Sequence, residues 1–391
     1  QYGVAGNETY FPNLYYVNRW TSTSTTSTTT PYGFGPLTSS PTWFGTTRED
    51  AVNRIYLSRT GNPILTWEKR NEFNAGFDAI LFNSNLNVAV TYYNWLVDGS
   101  ISQVSSVLPL LAGYNGARPY YNWNQTRYNA VATDLSYSHK IGSLILTVGG
   151  NATFQKGKRI TYDEPAYRYD YMKRTGKPSD AIFGLEYLGK FATDAEAQGQ
   201  GGVPIQMYDE KLYAGDLRYA DMNEDGVVDD QDQKMIGNSS PRLYYGINVG
   251  LKYKNFDVFI NGAGRAFYDI ALTNAYYWNG WGDNNYSNFV KENVGGAYPR
   301  LTYYKVNNNF VTSGFWLTNG GYFKIQNIEL GYTIPSSYLK VIGARAVRFY
   351  VRGANLLTLS AVKDVDPESI NSGVTVYPLF RTFTGGVKFN F

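Results

Sequence analysis

The sequence predicts an all-β chain, and more narrowly a transmembrane antiparallel β-barrel, on three observations. Aromatic residues make up 17% of its 391 positions, led by 36 Tyr, beside 40 Gly. That mixture suits pleated surfaces, aromatic rims and many turns. About nine long segments alternate apolar and polar residues with period two, and they exceed the roughly five or six residues usual for soluble strands. The connections between these segments alternate strictly between short turns and long loops.

Residues 1–64 read as a long irregular segment. It holds the polar run Thr21–Thr30, followed by Pro31, Pro36 and Pro41, and such a tract cannot bury a core. Regular alternation starts at about Leu65, so residues 65–391 are assigned to the barrel. Up to Phe82, the residues Phe73, Ala75, Phe77, Ala79 and Leu81 share one face, with Asn74, Gly76 and Asp78 on the other. After Asn83-Ser84, Leu86, Val88, Val90 and Tyr92 alternate with Asn87, Ala89 and Thr91. Trp123 to His139 sets Val131, Thr133, Leu135 and Tyr137 against Ala132, Asp134 and Ser136. The next strand carries Leu144, Leu146 and Val148 against Thr147 and Gly149. Ile247, Val249, Leu251 and Tyr253 alternate with Asn248, Gly250 and Lys252, and after Lys254-Asn255 the pair of faces continues through Phe256, Val258 and Ile260. Strands around 321–334, 344–357 and the C-terminus follow the same rule, with Ile328, Leu330 and Tyr332, then Val347, Phe349 and Val351, then Phe383, Val387 and Phe389 on one side.

Short turns at 83–84, 140–142, 254–255 and 335–342 alternate with long loops at 102–122, 158–240, 271–318 and 359–375. In an up-and-down sheet alternate connections emerge on the same side, so all short turns share one end and all long loops the other. Outer-membrane barrels have this asymmetry, with short turns periplasmic and long loops extracellular; a β-sandwich has less reason to sort loop lengths. The segment 1–64 is then an extracellular loop region. About nine strands is an odd number, and open edges in lipid would leave N–H and C=O groups without partners. The expectation is a C-terminal part of a larger barrel, or a barrel completed by another chain.

The chemistry the composition excludes is broad. A formal charge of +3 with no basic block argues against nucleic acid. Zero Cys removes disulfides and thiolate chemistry, and the single His139, read as a polar strand-end residue, leaves nothing for a histidine triad or zinc site. No apolar run approaches the roughly 18 residues of a membrane helix, which a β-barrel does not need. Nothing at Gln1 resembles a signal peptide.

The most specific chemistry lies within the loop 158–240. Asp221, Asn223, Asp225, Asp229 and Asp232 fall at positions 1, 3, 5, 9 and 12 of a calcium loop, with Gly226 at the turn position and Val227 offering its carbonyl. Position 12 is aspartate where the EF-hand pattern has glutamate, so the loop must tighten or bind through one oxygen. The alternative is a solvated acidic turn. A structural role is expected of the ion. A second candidate is the run Tyr276, Tyr277, Trp278 and Trp281, whose rings with neighbouring amide and acid groups could hold a sugar; the alternatives are a packed loop or a contact surface for a lid protein. Arg348, Arg352 and Lys388 share the lumen face, where pairing with carboxylates of another segment or hydration is expected, with attraction of an acidic ligand as the alternative.

With these residues in view the chain resembles the C-terminal barrel region of SusC/RagA-like TonB-dependent outer-membrane transporters. The resemblance rests on Asn62-Pro-Ile-Leu-Thr-Trp67-Glu-Lys with Asn74-Ala-Gly-Phe-Asp78, on Gly215–Gly226 with Ile236–Pro241, on Tyr322–Tyr332, on Gly353-Ala-Asn355-Leu356, and on the terminal Phe391. It implies a barrel of about 22 strands around an N-terminal plug, energy from TonB, and a SusD-like lipoprotein lid over the mouth. Neither plug nor TonB-contacting segment is within this sequence. The implied function is the barrel component of an importer of oligosaccharides or peptides, and not an enzyme. The competing readings are a structural or secretion-associated barrel and a secreted calcium-binding β-domain such as a lectin.

Overall fold

The computed structural model describes residues 60–103, 118–278, 286–339, 345–370, 377 and 379–390, together with five short strands in the first 59 residues. Nine long strands follow one another: β1 Lys69–Leu81, β2 Leu86–Gln103, β3 Tyr120–Ile141, β4 Leu144–Thr161, β5 Leu243–Tyr253, β6 Phe256–Ala266, β7 Tyr322–Thr333, β8 Ala346–Ser360 and β9 Thr382–Asn390. Each pairs antiparallel with the next, and Tyr2–Val4 adds a tenth strand against Lys69–Asn71. Strand β3 has 22 residues, about twice the roughly 9–11 a tilted strand needs to cross hydrocarbon, so β2–β4 project well beyond one membrane face.

The turns β1–β2, β3–β4 and β5–β6 are tight, with positive φ at Asn83 (54°), Gly142 (60°) and Lys254 (52°). Long segments join β2–β3, β4–β5, β6–β7 and β8–β9, as the loop lengths predict. Before residue 60 the chain is less irregular than expected: Arg19–Ser22 pairs with Ile55–Arg59, and Thr42–Trp43 with Ala51–Val52. Strands of two to five residues are too short for alternation to register. Residues 23–30 of the Ser/Thr run, Pro31, Pro36 and Pro41, and Phe391 lie outside the described residues.

The two faces of the sheet differ along their whole width. Leu144, Tyr253, Phe256, Tyr332, Phe349 and Val387 stand in one register row across β4–β9. The next row on that face is Leu146, Leu251, Val258, Leu330, Val351 and Gly385. Phe256 (60%), Phe349 (47%), Leu330 (56%) and Val351 (59%) are exposed, as a lipid-facing band must be in the isolated protein. Rings gather near the short turns, where Phe256 and Tyr332 are 4.8 Å apart.

The opposite face is polar and internally paired. The Arg348 Nε donates to Asp257 Oδ1 at 3.0 Å and its Nη2 to Glu329 Oε1 at 2.7 Å, while the Arg352 Nε donates to Glu329 Oε2 at 2.8 Å. Arg348 reaches Asp257 across Gly331, where an added Cβ would fall 2.3 Å from its guanidinium. Partners for Arg348 and Arg352 were expected on another segment or in water; the wall supplies them itself. Lys388, opposite Arg348 in register, is exposed.

The larger buried clusters lie outside the sheet, in the long loops. Leu185, Leu217, Tyr219 and Val228 form one cluster; Phe191, Ala197, Leu212 and Val306 a second; and Tyr268, Ile270, Tyr277, Val290, Tyr298, Phe310 and Trp316 anchor the largest. The β4–β5 and β6–β7 loops meet where the Leu185 amide donates to the Thr312 carbonyl (3.0 Å) and the Gly314 amide to the Leu185 carbonyl (2.9 Å). At Gly184 a Cβ would stand 2.4 Å from the Thr312 carbonyl oxygen. Gly184→Ala is therefore expected to separate the two loops at a cost of about 1–3 kcal/mol. Hydrogen exchange should accelerate at the Leu185 and Gly314 amides while the β5–β6 amides stay protected.

Candidate functional site

The chain from Asp221 to Asp232 closes on itself through its own acidic side chains. Asp221 accepts from the Glu224 and Gly226 amides, each at 2.8 Å. Asn223 accepts from the Asp225 amide (3.0 Å), Asp225 from the Val227 amide (3.0 Å) and Asp229 from the Gln231 amide (2.7 Å). These local turns are what short oxygen-bearing side chains favour. Glu224 (φ 59°) and Gly226 (φ 87°) supply the left-handed steps that curl the first three candidate ligands around one centre.

Asp232 takes the closing position in a different manner from a bidentate glutamate. Its Oδ1 accepts from the Met222 amide at 2.7 Å and its Oδ2 from the Asp229 amide at 2.8 Å, so the short arm is drawn into the loop and fully buried. Burial pushes its carboxyl above the usual range, although the three backbone amides it accepts from pull the other way, and the Asp221 charge adds to the rise. The Ile205 and Met207 amides take the Gly226 and Val228 carbonyls at 3.0 Å each. Strand alternation turns the Val227 carbonyl to the other side, toward the loop.

Whether these residues fit a cation can be judged on two observations. Among the described residues no three His, Cys, Asp or Glu side chains form a ready metal cluster, and the Asn223 amide nitrogen donates to Asp225 Oδ2 at 2.9 Å, occupying an inward oxygen. Against this, Asp221, Asp225, Asp229 and Asp232 carry four negative charges, and none is in an ion pair among the described residues. An all-oxygen set of uncompensated carboxylates in this spacing fits a hard divalent ion once Asn223 turns its oxygen inward. The loop is held from outside by the Tyr171 hydroxyl, which donates to the Gln231 carbonyl at 2.9 Å. Burial, with the charges of Asp232, Asp221 and Asp225, pushes that phenol up to about 12.

Two polar ties around the loop escape sequence reasoning. Asp216, fully buried, accepts from the Arg300 Nε (3.1 Å) and Nη2 (2.9 Å) and from the Asn309 Nδ2 (2.8 Å), joining the β4–β5 loop to the β6–β7 loop. Lys324, on the polar face of β7 and 5% exposed, donates to Asp366 at 2.7 Å and to Glu368 at 2.8 Å. Burial pushes the Glu368 carboxyl upward, but hydrogen bonds from Lys324 and Tyr322 hold it below its usual range. No local pattern marks pairs separated by 84 or 42 residues.

The aromatic candidates are placed differently from a ligand platform. Tyr277 is 1% exposed, its ring 5.1 Å from Tyr276 and 4.8 Å from Phe289. Trp278 lies 5.9 Å from Trp316, and the Tyr298 hydroxyl donates to the Tyr277 carbonyl at 2.7 Å. Rings from Phe289, Phe310 and Trp316 pack on Tyr277 and Trp278, which favours the packed-loop alternative over a sugar platform there. Trp281 lies outside the described residues.

No model of a known protein family matches the sequence. The chain is similar to TonB-dependent receptor P3 of Formosa agariphila, 25% identical over 381 residues, covering 88% of this chain and 36% of that protein. TonB-dependent receptor SusC of Bacteroides thetaiotaomicron is 23% identical over 372 residues, covering 90% and 34%. The chain therefore spans about a third of the length of the curated relatives it matches. Among solved structures, the RagAB peptide importer in its 'open-open' state superposes with a TM-score of 0.63 at 19% identity, over 87% of this chain and 36% of that one. The 'closed-closed' state gives 0.62, also at 19%, over 86% and 37%. These likenesses establish the fold as part of such a barrel.

The Tyr277 hydroxyl is buried without a hydrogen-bond partner among the described residues, so the ring and not the hydroxyl holds the loop together. Tyr277→Phe should leave stability unchanged or slightly raised, whereas Tyr277→Ala should cost about 3–5 kcal/mol. Denaturant unfolding of the two variants, followed by near-ultraviolet circular dichroism, checks this.

Proposed function

We propose that this chain, a relative of the SusC-type TonB-dependent receptors, is part of the barrel of a TonB-dependent outer-membrane importer of oligosaccharides or peptides. The observation that carries the reading is the nine-strand meander with an exposed apolar face, an internally paired polar face, and every long loop at one end. The relatives' names point to receptors and not to enzymes. In this reading the long loops are extracellular, the polar face lines the lumen, and Asn74, Asp78, Asn248, Asp257 and Asn261 make it wet. A SusD-like lipoprotein rests on the loops, and TonB acts through a plug region outside this chain. Barrel strands beyond these nine close the sheet. Deleting the parent gene should abolish growth on one oligomeric nutrient while sparing its monomer, and loss of TonB should do the same. Unchanged growth on every oligomer, with a surface-assembly defect, would favour a structural barrel instead.

Calcium, held by Asp221, Asn223, Asp225, Val227, Asp229 and Asp232, belongs to the same reading as a structural ion. Its charge would offset the four carboxylates and lock the 158–240 loop, taking no part in transport chemistry. Asp225→Asn keeps the turn-forming oxygen and removes one charge, so it should weaken terbium or calcium binding at least tenfold without unfolding the loop. Calcium removal should expose the loop to protease; equal cleavage with and without the ion would sink the assignment.

Orientation is testable because the chain has no cysteine of its own. Tyr304, 79% exposed in the β6–β7 loop, and Asn255 in the β5–β6 turn lie at opposite ends of the strands. An impermeant maleimide on intact cells should label Tyr304→Cys and spare Asn255→Cys. The reverse pattern would invert the topology.

A further inference from the structure

On the polar face, Glu72, Trp95, Tyr128 and Gly157 form one register row across β1–β4. The rings stand on edge: Trp95 and Tyr128 stack at 5.2 Å with planes 14° apart, and the Arg70 guanidinium covers Trp95 at 4.9 Å. Gly157 lets the last ring lie flat, since a Cβ there would be 2.6 Å from Tyr128 and 2.3 Å from the Ser179 hydroxyl. With every face covered, the stack presents its edges to a cavity of about 440 Å³. The far wall of that cavity is made by both ends of the calcium-loop segment, Ser179 and Asp180 on entry and Ser240 and Arg242 on exit.

Arg242 lines this cavity. Its Nε is buried with no hydrogen-bond partner, and its guanidinium makes no ion pair among the described residues. The Asp180 carboxylate in the same cavity accepts from the Ser240 amide at 3.1 Å instead of pairing with it. A guanidinium without an acid among the described residues, beside the Ser179 and Ser240 hydroxyls, is a donor-rich group, and donors in that fork geometry select an oxyanion.

We propose that this cavity is a subsite for the anionic group of an acidic oligosaccharide, a carboxylate or sulfate ester on a sugar ring. The proposal rests on the importer reading and narrows its cargo. Below the cavity the same face carries the side-chain amides of Asn151, Asn248, Asn261 and Gln326, with Asn261 Nδ2 donating to Gln326 Oε1 at 3.1 Å, around a second cavity of about 720 Å³. A ladder of amides matches the hydroxyls of a glycan. A peptide that adds as a strand needs a free backbone edge, and β2–β8, which carry both cavities, have theirs occupied by neighbouring strands.

The test uses the full-length transporter of which this chain is part, wild type and with Arg242→Gln or Arg242→Lys, each checked for barrel folding by its heat-dependent gel shift. Probes are D-glucuronate, its neutral counterpart D-glucose, sodium sulfate and tetraglutamate, measured by saturation-transfer NMR and by density after soaking. Glucuronate or sulfate should bind with its oxygens on Arg242, at least tenfold better than glucose. Arg242→Gln should lose that preference and Arg242→Lys keep part of it. Competition between the two anions tells a carboxylate subsite from a sulfate subsite. An empty cavity, binding untouched by Arg242→Gln, or Arg242-dependent binding of tetraglutamate alone would each overturn the proposal. If TonB-dependent uptake persists in those cases, the importer reading stands and only the subsite fails; if wild-type uptake needs no TonB, the importer reading itself has failed.

Discussion

A strand placed in hydrocarbon must find every backbone hydrogen-bond partner inside the protein, because lipid offers none and each orphaned group costs several kcal/mol. The antiparallel ladder meets that demand along β2–β8, while β1 beyond Asn71 and β9 each keep an edge unpaired among the described residues, and the rest of the structure depends on that ladder. Once the backbone is satisfied by neighbours, side chains are free to obey only the period of two. One face becomes the apolar rows through Tyr253, Phe256, Tyr332 and Phe349, and the other collects Asn248, Asp257, Asn261 and Arg348. The polar face cannot be left uncompensated either. Asp257, Glu329, Arg348 and Arg352 settle that by pairing across β6, β7 and β8.

A sheet with one apolar and one polar side has no conventional core, so the buried clusters fall in the long loops. There they join separate connections into one body: Asp216 with Arg300 bridges two loops, and Lys324 with Asp366 and Glu368 ties a third to the wall. The acidic loop 221–232 is the exception within this body. Its carboxylates are organised by backbone amides but not neutralised by any cation among the described residues. Arg242 is its counterpart in charge, a cation with its Nε buried and without an acid among the described residues.

The strands were legible in the sequence because each is long enough for alternation to repeat many times, and because a slip of one residue would turn Phe77 or Leu251 to the wrong face. The turn at Lys254 and the spacing of Asp221, Asn223 and Asp225 were legible for the same reason: the chemistry is local. What the sequence hid is non-local or short. Tyr2–Val4 is only three residues, and its partner is nearly seventy positions away. The run around Tyr277 reads as a packed loop, a lid contact or a sugar platform, since aromatic side chains serve all three; the rings clustered with it, Phe289, Tyr298 and Trp316, come from later in the chain and leave no local mark. Arg242 sits beside the Asn238-Ser-Ser-Pro241 motif, but nothing nearby in sequence tells that its guanidinium lacks an acid.

The central claim is that one wall separates lipid from a polar lumen, with the boundary passing through each strand. Single cysteines from Asn248 to Lys252 on β5 carry that claim in five adjacent positions. Spin labels there, in the bilayer-embedded full-length protein, can be challenged with oxygen, which partitions into lipid, and with a water-soluble nickel complex. The account predicts strict alternation: Val249 and Leu251 favour oxygen, while Asn248, Gly250 and Lys252 favour nickel. Equal accessibility at all five positions, or nickel reaching Val249 and Leu251, would contradict it.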